Sequence, residues 1–208
     1  MRRMALLLTV MAAALVLASG VALAVTKIGT NGPDTLSGTN GSDTLMGKGG
    51  DDTLFSRAGK DTLLGGPGKD RLVGGKKVGT AYRTQGGHKD LLGGPGNDNI
   101  VGGRGADTIV GGEGNDLLAT GDTLTETADD KVFGGKGNDA INALSDPAAE
   151  AVIFCGDGTD VVIVDRKDVV AADCEKVFIG LGSIEAWFEA LPEGFLEGLP
   201  PFFVFEEE

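Results

Sequence analysis

The sequence predicts an all-β protein in which short strands alternate with tight, glycine-rich turns. Three observations support this prediction. A nine-residue pattern recurs along most of the chain, as in GGPGNDNIV, GGRGADTIV and GGEGNDLLA over residues 93–119. Glycine accounts for 36 of the 208 residues, and it is favoured where the backbone takes positive φ or lets other groups approach closely. The third observation is one aliphatic residue at position eight of each unit, which suits a strand with one face inward.

The nine-residue units can be followed in register from Gly29. Five units run without a gain or loss of a residue up to residue 73, three more cover residues 93–119, and others begin at Thr125, Gly134 and Cys155. Eleven units carry an aspartate at position six: Asp34, Asp43, Asp52, Asp61, Asp70, Asp98, Asp107, Asp116, Asp130, Asp139 and Asp160.

Three insertions interrupt the register, near residues 75–88, 120–128 and 143–150. Beside the first insertion, Asp90 lies one place late relative to the aspartates of neighbouring units. The turns at 56–58 and 125–127 lack the paired opening glycines, although each unit keeps its aspartate. The predicted turn geometry is therefore least regular at these places.

The aliphatic residues at position eight form the predicted core. They point inward because side chains alternate along a strand, so two stacked units bury only two large side chains. The burial of two such side chains is too little to offset the conformational entropy lost when the residues of two nine-residue units become ordered. The predicted core residues are Leu36, Leu45, Leu54, Leu63, Leu72, Ile100, Ile109, Leu118 and Ile141.

The aspartates indicate what else could hold the turns together. If alternate units stack, then Asp34, Asp52 and Asp70 form one column and Asp43 and Asp61 another, with neighbours about one strand spacing apart. Like charges at that distance repel, and a divalent cation between successive turns reverses the sign of this interaction. Calcium accepts six to eight oxygen ligands, which carboxylates and turn carbonyls can supply. With one His and two Cys in the chain, the soft ligands preferred by zinc or copper are scarce.

The pattern GGxGxDxUx, in which U is aliphatic, resembles the hemolysin-type or RTX calcium-binding nonapeptide repeat from Gly29 to about Val177. This resemblance implies a right-handed parallel β-roll, in which six residues form a turn, three form a strand, and two units complete a coil. It also implies that the eleven position-six aspartates, together with turn carbonyls, bind several Ca²⁺ ions. The segment from Cys155 to Val177 resembles the closing turn of secreted actinobacterial members of the family.

The first 24 residues are predicted to be a secretory signal peptide. Arg2 and Arg3 precede an apolar run, and Ala22-Leu23-Ala24 precedes a plausible cleavage point. A retained membrane anchor is the alternative, but the apolar run is short for a membrane span. Cleavage would remove two of 18 basic residues and none of 31 acidic ones, so the mature chain would carry a net charge of −15. We therefore expect a secreted, acidic protein that does not bind nucleic acid.

The roll is expected to cover residues 25–180, followed by a tail at 181–208. Because Cys155 and Cys174 are the only cysteines of an exported chain, we expect a disulfide between them; two free thiols are the alternative. In the tail, Ile184, Trp187, Phe188 and Leu191 follow helical spacing. A helix that caps the apolar end of the roll is one interpretation, and a segment that binds a partner or the cell envelope is the other.

Catalysis is not expected. There is no HExxH or GxSxG motif, and acidic pairs such as Asp51-Asp52 and Asp129-Asp130 each include a position-six aspartate that calcium binding explains. We expect a monomeric, secreted calcium-binding protein whose repeats fold on extracellular calcium. The alternative is a cell-envelope-associated adhesive or interaction module with the roll as scaffold. The outward positions vary among Thr, Arg, Asn, Lys and Leu, so the sequence shows no ladder of identical residues in favour of that alternative.

Overall fold

The computed structural model describes residues 23–78, 81–84, 87–121, 128–144, 150–180, 186 and 189–191. Most of the predicted signal peptide and most of the predicted tail therefore lie outside the described residues. Among the residues that are described, no helix is long and apolar enough to cross a membrane.

The described elements are short strands, most of them three or four residues long. In chain order they are β1 Thr26–Ile28, β2 Thr35–Ser37, β3 Thr44–Met46, β4 Thr53–Phe55, β5 Asp61–Leu64, β6 Arg71–Val73, β7 Gly75–Val78, β8 Ala81–Thr84, β9 Lys89–Pro95, β10 Asn99–Val101, β11 Thr108–Glu113, β12 Leu117–Ala119, β13 Lys131–Lys136, β14 Ala140–Asn142, β15 Val152–Asp157, β16 Val161–Val164, β17 Val169–Val170 and β18 Lys176–Ile179.

Sixteen of the 18 described strands form two parallel sheets of eight strands each, and β7 pairs only with β8. The first sheet has the order β1-β3-β5-β9-β11-β13-β15-β17, and the second has the order β2-β4-β6-β10-β12-β14-β16-β18. Successive strands of the chain thus alternate between the sheets, and Thr26 pairs with Thr44 two units further on. The structure confirms the predicted parallel β-roll, with two nonapeptide units in each regular coil.

The core is a single file of aliphatic side chains between the sheets. Each strand from β3 to β6 and from β9 to β16 contributes an aliphatic residue at its inward position eight, and the exposed fraction of all twelve is 0%; these are Leu45, Leu54, Leu63, Leu72, Leu91, Ile100, Ile109, Leu118, Val132, Ile141, Ile153 and Val162. Leu36, at the N-terminal end, is partly buried against this file. The predicted core residues are therefore confirmed, and the core is narrow, with Cys155 and Val164 widening it near the C-terminal end.

The outer face of the first sheet carries an apolar ladder that the sequence analysis missed. Position nine is apolar in seven successive coils, and the strand register aligns these residues side by side: Ile28, Met46, Leu64, Leu92, Val110, Phe133 and Phe154. Phe133 and Phe154 stack, with ring centroids 5.2 Å apart. The residues differ in type but share apolar character, so a search for identical residues does not reveal the ladder.

The first insertion is an antiparallel hairpin of β7 and β8. The Ser56 amide, at the first position of its turn, donates to Val73 O of the next coil. The Gly74 amide donates to Val101 O in the same way, so the hairpin lies inside a turn that begins at Gly74. Gly74 and Gly75 thus hold the first two positions of the turn, and the chain rejoins the roll before β9. The parallel pairing of β5 with β9 continues across the insertion.

At the C-terminal end, Cys155 and Cys174 form the predicted disulfide, with their Cα atoms 5.2 Å apart. In the tail, Ala186, Glu189 and Ala190 are helical. Ala190 and Leu191 pack against outward-facing apolar residues of the second sheet, including Leu117 and Ile163. These contacts lie on the face of the roll, and the predicted cap over its end stays a prediction.

Candidate calcium sites

The turns of the roll stack along two edges, and position six of each turn lies at the start of a strand. One edge, which we call the continuous edge, carries an acid at this position in eight successive turns: Asp34, Asp52, Asp70, Asp98, Asp116, Asp139, Asp160 and Glu175. Seven of the eleven predicted site residues therefore lie on this edge.

The opposite edge, which we call the interrupted edge, carries the other four predicted site residues, Asp43, Asp61, Asp107 and Asp130. Two of its turns lack an aspartate at position six. The register of β5, β9 and β11 aligns Lys89 with Asp61 and places Asp90 beside Thr62 and Thr108, at the first outward position of the strand. The register of β13 and β15 likewise aligns Ala151 with Asp130.

Each stacked carboxylate is fixed by a hydrogen bond from the coil before it. On the continuous edge the Asp34 amide donates to Asp52 Oδ1 at 2.8 Å, and the same bond recurs through every coil to the Asp160 amide, which donates to Glu175 Oε2 at 2.9 Å. On the interrupted edge the Asp43 amide donates to Asp61 Oδ1 at 2.9 Å. The structure thus places Asp34, Asp52 and Asp70 on one edge and Asp43 and Asp61 on the other, as the sequence predicts.

The second oxygen of these carboxylates is buried inside the turn. Within the described part of the continuous edge, this Oδ2 atom has no hydrogen-bond partner in six residues: Asp52, Asp70, Asp98, Asp116, Asp139 and Asp160. A buried carboxylate oxygen without a donor is costly, and a native structure normally provides a donor or a cation. The same carboxylate oxygen lacks a donor in one coil after another, which indicates a repeated cation-binding position rather than a local defect.

The first turn of each edge is different because threonine stands at its second position. Asp34 Oδ2 accepts from the Thr30 amide at 2.6 Å and from Thr30 Oγ1 at 2.9 Å. Asp43 Oδ2 accepts from the amide and the hydroxyl of Thr39 in the same way. These two aspartates are satisfied by their own turns, so their predicted role as ligands has the least support.

Backbone carbonyls approach the same turns closely, and this explains the glycines. A Cβ atom built at Gly112, which has φ of 127°, would lie 2.1 Å from Gly94 O of the preceding coil. A Cβ atom at Gly114 would lie 1.9 Å from Gly96 O. Only glycine leaves room for these carbonyls between stacked turns. Lys48 and Arg57 hold the second position of their turns and keep positive φ, at 86° and 71°.

Several of the stacked carboxylates on the continuous edge have raised pKa values. Burial raises the pKa of Asp98 to about 7, and the negative charges of Asp70 and Asp51 act in the same direction. Burial also raises the pKa of Asp116 and that of Asp139 to about 7, with smaller effects from neighbouring stacked aspartates. The hydrogen bonds accepted from backbone amides oppose these shifts. The continuous edge therefore favours the binding of positive charge, either protons or metal ions.

Two acids outside the predicted set continue the columns at the C-terminal end. Asp168 Oδ1 accepts from the Ala151 amide at 2.9 Å, and burial raises the pKa of Asp168 to about 6. Glu175 accepts from the Asp160 amide, as described above. A signal for Asp168 is present in the sequence, since Asp168-Val169-Val170 repeats Asp160-Val161-Val162, but the glycine pattern that would align it is absent.

The donor set is suited to a hard cation. Within the described residues, no group of three or more His, Cys, Asp or Glu side chains could hold a metal ion, so carbonyl oxygens would have to complete the coordination. One or two carboxylates and several turn carbonyls are typical of calcium coordination, whereas zinc sites need nitrogen or sulfur ligands. The fold and the stacked turns together define a calcium-binding parallel β-roll.

The comparison with known families agrees with this class. The model of the RTX calcium-binding nonapeptide repeat, HemolysinCabind, matches four copies at residues 28–63, 46–76, 92–122 and 125–146. The chain is therefore a member of the RTX repeat family, whose nonapeptide repeats bind multiple Ca²⁺ ions. No curated protein matches the chain significantly.

Proposed function

We propose that this protein is a secreted calcium-binding β-roll that folds in extracellular calcium and performs no catalysis of its own. The observation that carries the proposal is the row of buried carboxylate oxygens without hydrogen-bond donors along the continuous edge. Calcium between successive turns would satisfy these oxygens and reverse their mutual repulsion. We assign the position-six carboxylates, including Asp168 and Glu175, as ligands together with turn carbonyls.

Secretion is supported by the signal peptide predicted over residues 1–24 and by the disulfide, since disulfides persist in oxidising compartments. Extracellular calcium is also high enough to occupy weak sites. Modules that operate there bind calcium with Kd values of roughly 0.1 to 1 mM. The protein would thus stay poorly folded where calcium is scarce and would fold after export.

The test is a calcium titration of residues 25–208, followed by circular dichroism. We expect a largely disordered chain in chelator and β structure in calcium, with a midpoint of roughly 0.1 to 1 mM. Magnesium should substitute poorly, because it demands tighter octahedral geometry and loses water reluctantly. A spectrum that does not change between chelator and several millimolar calcium would contradict the proposal.

The apolar ladder on the first sheet favours a second candidate function, in which the roll is a scaffold that binds the cell envelope. Leu92 is 37% exposed and Phe154 is 43% exposed, and exposed apolar rows of this kind are typical of binding surfaces. Cell fractionation of the full chain would test this function. The double variant Leu92→Lys, Phe154→Lys should move from the envelope fraction to the medium, whereas Lys131→Glu on the same face should not.

A further inference from the structure

Lys89 is the one position-six residue of the described turns that carries a positive charge. Its exposed fraction is 0%, and it is the largest fully buried side chain of the described residues. A lysine is almost never buried in this way unless its charge is paired. Its position in the register is that of an aspartate in the coils on either side.

The ammonium group of Lys89 bridges two successive turns through their carbonyls. Lys89 Nζ donates to Gly87 O of its own turn at 2.8 Å and to Arg104 O of the next turn at 3.3 Å. The Lys89 amide donates to Asp107 Oδ1 at 2.8 Å, so the carboxylate of the next coil holds its ordinary place. The ammonium group thus lies between the carbonyls of two successive turns, and the backbone amide of the same residue binds the stacked carboxylate of the next coil.

The neighbouring coil on the other side adapts to this substitution. The Asp61 amide donates to His88 O at 3.3 Å, where the amides of other coils donate to a carboxylate oxygen. The Lys89 side chain thus brings a positive charge to the position where the register of the other coils places a carboxylate.

We propose that the Lys89 ammonium group replaces a calcium ion between the turn that ends at Lys89 and the turn at residues 102–107. This inference rests on the proposed function, because it assumes that the equivalent gaps between paired aspartates bind calcium. The two coils would be joined without a metal ion, and the interrupted edge would bind fewer ions than the continuous edge. Because the ammonium group is part of the chain, it would hold these two coils together beside the hairpin insertion before calcium binds the other turns.

The experiment counts calcium ions bound to residues 25–208 by equilibrium dialysis at saturating calcium. Lys89→Asp restores a carboxylate at position six and removes the ammonium group, so it should bind at least one more ion than the parent. Lys131→Asp makes the same change of charge on an exposed, outward position and should bind the same number as the parent. An unchanged count in Lys89→Asp, with the parent binding calcium normally, would overturn the inference and leave the proposed function intact.

A second pair of variants decides the question if Lys89→Asp does not fold. Lys89→Met keeps the length of the side chain without its charge, so the calcium midpoint of folding should rise roughly threefold as charged hydrogen bonds are lost. Lys89→Arg keeps the charge and should restore much of the parent midpoint. Equal midpoints for the parent and Lys89→Met would overturn the inference. A parent that binds no calcium at all would instead contradict the proposed function.

Discussion

The two edges of the roll are built from the same repeat, yet they differ in charge. On the continuous edge, eight acids follow one another, and six of the aspartates have a buried oxygen without a hydrogen-bond donor. A buried oxygen of this kind also occurs on the interrupted edge, at Asp61. On the interrupted edge, Lys89 and Ala151 break the column. The two edges thus show that turn geometry and the position-six carboxylate serve different purposes. The turn geometry is needed in every coil of the fold, whereas the carboxylate is needed only where we propose that a metal ion joins the coils.

The positions of the insertions explain why only one edge is interrupted. The hairpin of β7 and β8 enters a turn of the interrupted edge, and that turn ends at Lys89. The insertion near residues 143–150 precedes Ala151 in the chain, and Ala151 aligns with Asp130 on this edge. The turns of the continuous edge are short and regular from Gly29 to Asp160. The insertion near residues 120–128 precedes Asp130 on the same edge, and that turn keeps its carboxylate. All three insertions thus belong to the interrupted edge, and both turns that lack a position-six carboxylate are turns with an insertion.

The disulfide belongs to the continuous edge. Cys155 opens the turn that ends at Asp160, and Cys174 precedes Glu175 in the last turn. That last turn contains no glycine, so it lacks the close carbonyl approach found in earlier coils. The covalent bond joins the final two turns at the point where the repeat pattern ends, and it contributes on the order of 3 kcal/mol by restricting the unfolded chain.

The largest difference between the two edges should appear in the calcium midpoint of folding when one carboxylate is removed from either edge. Asp98 lies between Asp70 and Asp116, so Asp98→Asn removes a ligand from the gaps on both of its sides. We expect its calcium midpoint to rise by about one order of magnitude, since the affinity of calcium sites depends on the number of charged ligands. Asp61→Asn should produce a smaller rise, because Lys89 stands on one side of Asp61.

The matched control for this pair is Asp90→Asn. Asp90 is an aspartate of the same edge, but it lies at an outward strand position and is expected to leave the midpoint nearly unchanged. Midpoints are measured by circular dichroism during calcium titration. Equal shifts for Asp98→Asn and Asp61→Asn would mean that both edges depend equally on their carboxylates, and the comparison between them would fail.

Much of this arrangement can be predicted from the sequence, because the regular units have a fixed period. The inward side chains at position eight and the sharing of an edge by Asp34, Asp52 and Asp70 follow from that period alone. The role of Lys89 could not be predicted, because an alignment based on aspartates draws attention to Asp90, and only the strand register shows which residue ends the turn. Ala151 could not be predicted for a similar reason, because the insertion near residues 143–150 interrupts the nine-residue period, and only the strand register aligns Ala151 with Asp130. Asp168 and Glu175 follow turns without the glycine pattern, so only their hydrogen bonds identify them.

A smaller effect, strongest on the continuous edge, is expected when pH is varied without calcium. The pKa of Asp98, Asp116 and Asp139 is about 7 in the folded chain, compared with an ordinary value of 3.8. The folded state therefore binds protons more tightly than the unfolded state, so protonation stabilises the calcium-free roll. This stabilisation is fully present below about pH 4 and is lost as the pH rises through about 7.

Circular dichroism in chelator should show more β structure at pH 5 than at pH 8. Asp116→Asn, which carries no titrating group at that position, should reduce the difference, whereas Asp90→Asn should leave it unchanged. Identical spectra of the parent at pH 5 and pH 8 would show that the stacked carboxylates do not control folding, and the contrast between the two edges would then have no energetic consequence.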